Sequence, residues 1–180
     1  LAGAGILGIV LGFALKDVAE NYVAGILMGF NNPFSPGDQV IVDDGQLEGT
    51  IEELQLRYTV IRSSDGIRIL VPNSILLKNP IQNLTANGTR RSWFTVGVAF
   101  GSDIGEVRRI VQDTLTSIES VLRNPPPEVV VEELSDAWMT LRIRFWHGPT
   151  NRDHWHTRGD AIEAVFSALD AAGIDMPFPR

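Results

Sequence analysis

Asn31-Asn32-Pro33-Phe34-Ser35-Pro36-Gly37-Asp38 divides this chain of 180 residues. Two prolines and a glycine within five residues stop any helix that reaches them, and the hydrophobic period differs on the two sides. From Gln39 onward apolar residues recur every second position. Gln39–Val42, Leu47–Leu56, Arg57–Arg62 and Ile67–Val71 therefore read as short strands. The turns between them hold Asp44-Gly45 and Asp65-Gly66, strong hairpin signals. Gly49 inside the second strand predicts a bend or bulge. Val71-Pro72-Asn73-Ser74 opens a short helical turn before Asn79-Pro80, so this stretch is a small all-β unit of four or five strands.

On the other side of the divide, Leu1–Leu15 (LAGAGILGIVLGFAL) carries no charge. Fifteen helical residues cover roughly 22 Å, short of the roughly 20 residues that a full membrane span needs. Gly3, Gly5, Gly8 and Gly12 would each cost about 1 kcal/mol relative to alanine in a helix exposed to water. Gly8-x-x-x-Gly12 and Gly25-x-x-x-Gly29 set small residues one turn apart, the spacing that lets helices approach closely in a bilayer. A glycine-rich buried helix of a soluble protein is the competing reading, and the lack of any polar face argues against it. Ile6, Ile9 and Phe13 form a second, bulky stripe elsewhere on the circumference, as suits a helix packed beside copies of itself around an axis. Lys16, Asp17 and Glu20 mark where the helix leaves hydrocarbon, because ionisable groups must reach water. A kink or break is expected near residues 16–18, with Val18–Phe30 continuing as an interfacial amphipathic helix.

From Arg91 the pattern changes again. Ser92–Phe100 alternates as a strand, and Asp103 can cap a helix over Ile104–Leu122 whose buried face is Val107, Ile110, Val111, Leu115 and Ile118. Pro125-Pro126-Pro127 separates it from strands over Glu128–Leu134 and Trp138–Trp146. A last helix spans about Asn151–Ala172, with Gly173 at its C′ position. The order β-α-β-β-α is an α+β sandwich of the split type.

Composition excludes several function classes. With no cysteine there is no disulfide, thiolate metal site or thiol nucleophile. Net charge is −7, and Lys16 and Lys78 are the two lysines; a general nucleic-acid binder wants a basic face. The β unit looks like a small barrel of the kind that binds RNA in other proteins, but it is acidic and poor in aromatic residues for base stacking. His154 and His156 are two apart and face different directions on a helix, so with His147 they read as surface or portal histidines and not as a metal site. The pairs Asp43-Asp44, Glu52-Glu53 and Glu132-Glu133 read as solvated turns and edges. No nucleophile elbow or phosphate loop is present, so neither an enzyme nor a cofactor is expected.

The ordered set of motifs resembles the small-conductance mechanosensitive channel (MscS) family over essentially the whole chain. It is carried by Gly12-Phe13-Ala14-Leu15, Asn21, Ala24-Gly25, Asn32-Pro33-Phe34, Pro36-Gly37-Asp38, Gly49-Thr50-Ile51, Ser64-Asp65-Gly66, Val71-Pro72-Asn73-Ser74 and Asn83. Gly97-Val98-Ala99, Ser102-Asp103-Ile104, Ala172-Gly173-Ile174 and Pro177-Phe178-Pro179 complete it.

The resemblance implies a homoheptameric channel of the bacterial inner membrane that opens under tension and releases ions and small osmolytes on hypoosmotic shock. The implied fold is a membrane pore helix, a small all-β (Sm-like) domain and an α+β sandwich domain, with the two C-terminal domains forming a cytoplasmic cage. Residues 1–31 would be the pore-lining helix, 32–90 the β domain and 91–180 the α/β domain. By position, Ile9 and Phe13 match the hydrophobic constriction, and Gly5, Gly8 and Gly12 the helix-packing face. Lys16, Asp17, Glu20, Asn21 and Gly25 fall at the pore mouth and kink. Asp17 stands where many relatives have glycine, and Lys16 where a neutral amide is common. Relatives carry two further transmembrane helices ahead of the pore helix and a barrel strand beyond the last motif. The partners implied are further copies of the chain, membrane lipids and permeating solutes, and no nucleic acid. A membrane-anchored oligomeric scaffold without conduction, or an Sm-like RNA-binding module, is the alternative.

Overall fold

The computed structural model describes residues 2–136 and 138–176; Pro177-Phe178-Pro179 lies outside the described residues. The chain divides into two compact units between Ala86 and Asn87.

The first unit begins with α1 (Ala2–Asn31). Five strands follow: β1 (Gln39–Val42), β2 (Leu47–Leu54), β3 (Tyr58–Arg62), β4 (Arg68–Pro72) and β5 (Ile81–Asn83). A short helix, α2 (Asn73–Lys78), lies between β4 and β5. The sheet is antiparallel throughout, in the order β4-β3-β2-β1-β5. Alternation along the strands sends Val40, Val42, Ile51, Ile61 and Val71 inward, where Leu76 of α2, Phe34 and Met28 of α1 join them. Asp43–Gly45 make a single tight turn in which all three residues have positive φ, as expected of the Asp-Gly signal. The irregularity in β2 lies between Ile51 and Glu53 and not at Gly49. Gly49 marks a close approach instead, since a Cβ there would come within 2.7 Å of the Ile61 side chain.

The break expected near residues 16–18 is not found. Helix α1 is continuous from Ala2 to Asn31, because sharp kinks need a proline, a π-bulge or an inserted group. Lys16 and Asp17 are exposed and leave the backbone ladder intact. Among the described residues no helix is long and apolar enough to cross a membrane: the apolar run is cut at Lys16, Asp17 and Glu20.

The second unit contains β6 (Arg90–Ala99), α3 (Ile104–Ser117), β7 (Glu128–Leu134), β8 (Trp138–His147) and α4 (Asn151–Ala171). Its antiparallel sheet runs β6-β8-β7. One face packs Phe94, Val98, Leu141, Ile143 and Phe145 against Val107, Val111 and Leu115 of α3 and Ala161, Val165 and Leu169 of α4. Asp103 caps α3 by accepting from the Gly105 and Glu106 amides at 2.8 and 3.2 Å. Thr150 and Asp153 form a reciprocal capping box on α4. Helix α3 ends at Ser117 and not at Leu122. Ile118 is extended, which lets Val121 bridge to His147 and the Leu122 amide reach the Trp146 carbonyl at 2.8 Å.

Candidate functional site

Helix α1 has two halves of different character. In its C-terminal half Asn21, Ala24, Gly25 and Met28 recur at helical spacing. Ala24 and Met28 are buried, and Asn21 and Gly25 are partly covered. This stripe seats α1 on the β unit. Pro72, which precedes α2, has no side-chain acceptor to cap it. Asn21 supplies one from α1, its Oδ1 accepting from the Ser74 amide at 3.0 Å. Its Nδ2 donates to the Asp17 carbonyl at 2.8 Å, which fixes the amide's orientation. Glu20 pairs with Lys78 at the far end of α2.

Gly25 is where the two backbones come closest. A Cβ there would collide with the Leu56 carbonyl and lie 2.7 Å from Asn73 Nδ2. Asn73 is itself fully buried. Its Nδ2 donates to the Gln55 carbonyl at 2.8 Å, its Oδ1 accepts from the Thr59 hydroxyl at 2.9 Å, and its amide donates to the Arg57 carbonyl at 3.1 Å. One asparagine thus ties the β2–β3 turn, β3 and the start of α2 into the surface that receives Gly25.

Among its described side chains, the N-terminal half makes no comparable seat. Ile9 is 63% and Phe13 76% exposed, and a Cβ at Gly5, Gly8 or Gly12 would meet nothing within 4 Å. The ten expected site residues therefore fall into two groups. Glu20, Asn21 and Gly25 converge on α2 and the β2–β3 turn. Gly5, Gly8, Ile9, Gly12, Phe13, Lys16 and Asp17 lie on the helix beyond that seat, and each is exposed.

A second polar centre fixes the entry to the sheet. Asp38 accepts from the Ser35 amide at 2.8 Å, the Asn83 amide group at 2.9 Å and the Thr85 hydroxyl at 2.8 Å. The Ser35 bond above all, with help from Asn83 and Thr85, holds its carboxyl below the ordinary carboxylate range. This bond set explains why Pro36-Gly37-Asp38 and Asn83 stand where they do, forty-five residues apart in the chain.

The histidines overturn one expectation. His147 is fully buried and not a surface group, because it continues the inward series Leu141, Ile143 and Phe145 of β8. His154 is partly covered and His156 is exposed.

A helix seated by its C-terminal half on an antiparallel β unit, its apolar end exposed, with an α+β unit following in the chain, defines a class that comparison with known families identifies. Residues 17–86 match the family described as mechanosensitive ion channel, beta-domain, and residues 93–176 match mechanosensitive ion channel MscS, C-terminal. The chain belongs to the MscS family.

Among named relatives, the small-conductance mechanosensitive channel MscMJ of Methanocaldococcus jannaschii is 33% identical over 99% of this chain and 51% of its own length. An uncharacterized MscS family protein of Archaeoglobus fulgidus is 31% identical over 100% of this chain and 62% of its own length. The crystal structure of Helicobacter pylori MscS in a closed state superposes with a TM-score of 0.88 at 29% identity, over 99% of this chain and 70% of that one. Arabidopsis thaliana MSL1 shares the fold, with a TM-score of 0.82 at 21% identity over 99% and 65% of the two chains. The chain thus spans between half and two thirds of the length of the curated relatives named here.

Proposed function

We propose that this chain is the pore-helix and cytoplasmic portion of a tension-gated channel that passes ions and small osmolytes across a bacterial inner membrane during hypoosmotic shock. The observation that carries the reading is the division of α1. One half is seated by Asn21, Ala24, Gly25 and Met28, while the other presents Ile9 and Phe13 to solvent at 63% and 76% exposure. Large apolar side chains in water at that density call for a partner surface. Open space at Gly5, Gly8 and Gly12 lets a neighbouring copy of α1 approach closely.

Around a sevenfold axis, rings of Ile9 and Phe13 stop ions by dewetting a narrow passage, without a solid plug. Lys16 and Asp17 then ring the inner mouth, where charge can meet water. The remaining membrane segments of the full-length protein surround this helix, and both C-terminal units face the cytoplasm.

The test is patch-clamp recording of the full-length oligomer in liposomes under stepped suction. Discrete pressure-activated openings are expected, and Phe13→Ser should hydrate the closed constriction and open at lower tension. Silence up to the lytic tension with intact oligomers would overturn conduction. Unchanged threshold in Phe13→Ser would remove Phe13 from the barrier.

A further inference from the structure

The second unit contains a buried imidazole that neither the seat of α1 nor the proposed pore uses. His147, at the end of β8, is fully buried. Its Nδ1 lies 2.6 Å from the Gly148 carbonyl, its Nε2 lies 2.6 Å from Ser92 Oγ of β6, and the same hydroxyl lies 2.7 Å from Nδ1 of His154 on α4. These partners fix the protons. A carbonyl can only accept, so His147 Nδ1 carries hydrogen and, in the neutral ring, Nε2 is the acceptor. The single Ser92 proton therefore points to His147, and Ser92 Oγ accepts from His154 Nδ1–H. The result is a directed line, His154 to Ser92 to His147, from the partly covered first turn of α4 into the core.

We propose that His154, Ser92 and His147 form a proton relay that charges a buried imidazole, and that the seating of α4 on β6 and β8 is thereby set by pH in the mildly acidic range. The step balances as two coupled transfers. A proton bound by His154 allows its Nδ1 proton to pass to Ser92 Oγ, while the Ser92 hydroxyl proton passes to His147 Nε2. His147 ends as imidazolium, and His154 is again neutral with Nδ1 now an acceptor. Each hydrogen bond persists with its direction reversed, so the cost lies in placing a charge in the core.

The surrounding groups decide how well that charge is tolerated. From β6, Arg90 pairs across the ladder with His147 and opposes it, its guanidinium held by Asn151 at 3.0 Å. From α4, Asp153 favours it, but that carboxylate already accepts from the Thr150 amide and hydroxyl at 3.1 and 2.7 Å. The Gly148 carbonyl also favours it, and Phe145 adds an apolar ring 6.0 Å away. Burial outweighs the rest and pushes His147 below the ordinary imidazole range. The sign follows. Above the ordinary value of about 6.5 both folded and opened chains are neutral and stability is full. As pH falls below it, the opened chain takes a proton that the folded one resists, and stability drops until the lowered folded value is reached.

Hydrogen–deuterium exchange of the full-length protein between pD 8 and 5, corrected for intrinsic exchange, tests this. Protection over residues 147–160 should fall several-fold toward pD 5. His147→Gln, which cannot titrate, should flatten that dependence. Ser92→Ala keeps the imidazole but cuts the line and leaves buried Nε2 without its donor, so at pD 8 it should already show weakened protection of α4's first turns. Flat wild-type protection would overturn the proposal, as would a His147→Gln or Ser92→Ala profile that matches wild type. If His147→Gln does not fold, Ser92→Ala decides the matter. None of these outcomes depends on conduction.

Discussion

At the scale of single residues, Asn73 has the largest structural role for its size. Its side chain satisfies the buried Thr59 hydroxyl and the Gln55 carbonyl together. Asn73→Ala should leave both unpaired and cost about 2–3 kcal/mol, the desolvation of orphaned polar groups. Denaturant unfolding of the wild type and variant measures it, and a loss below about 0.5 kcal/mol would mean that water replaces the amide. Asn73 stands in a motif visible in the sequence, yet its role is not, because its side-chain partners lie 14 and 18 residues away. His147 carried a usable signal. It sits two residues beyond Phe145 in an inward-facing series, just as Ser92 sits two before Phe94. Period-2 alternation places both residues indoors; what it cannot supply is the third member, His154, from another element.

At the scale of elements, α1 is one helix with two environments. Alanine substitution separates them. Gly25→Ala should push the helix off the Leu56 carbonyl and Asn73 and destabilise the seat by about 1–3 kcal/mol, as overpacking does. Gly8→Ala meets open space in the single chain and should leave the seat intact while gaining up to about 1 kcal/mol of helix propensity. Exchange protection of α1 and α2 reads both, and equal effects would mean that Gly25 is not a contact point. The strand and helix types were legible because period and turn chemistry agree over β1–β4 and through α4. Less legible was the end of α3, where Ile118 still fits the apolar face but Val121 is drawn into a bridge with His147. Continuity through residues 16–18 is not legible in Lys16 and Asp17 either, since charge marks a change of solvent and a kink needs a backbone breaker.

At the scale of the whole molecule, charge is the property that assembly multiplies. Residues 34–180 carry 14 cations and 20 anions, a net of −6 per copy. In the proposed ring of copies, a common vestibule would concentrate cations, as charged clefts focus counter-ions. The proposed channel should therefore be weakly selective for cations, read as a reversal potential in a KCl gradient; a preference for chloride would mean that these carboxylates face away from the path. The unbroken α1 has a further, mechanical consequence. With no hinge between its seat and its apolar end, it behaves as a stiff lever whose fulcrum is the Gly25 contact. Phe13 lies twelve residues from that fulcrum, an arm of about 18 Å. In the proposed pore, a tilt of about 10° at the fulcrum would swing Phe13 through roughly 3 Å at that rise per residue, a change in bore set by how Gly25 sits against Asn73 and Leu56.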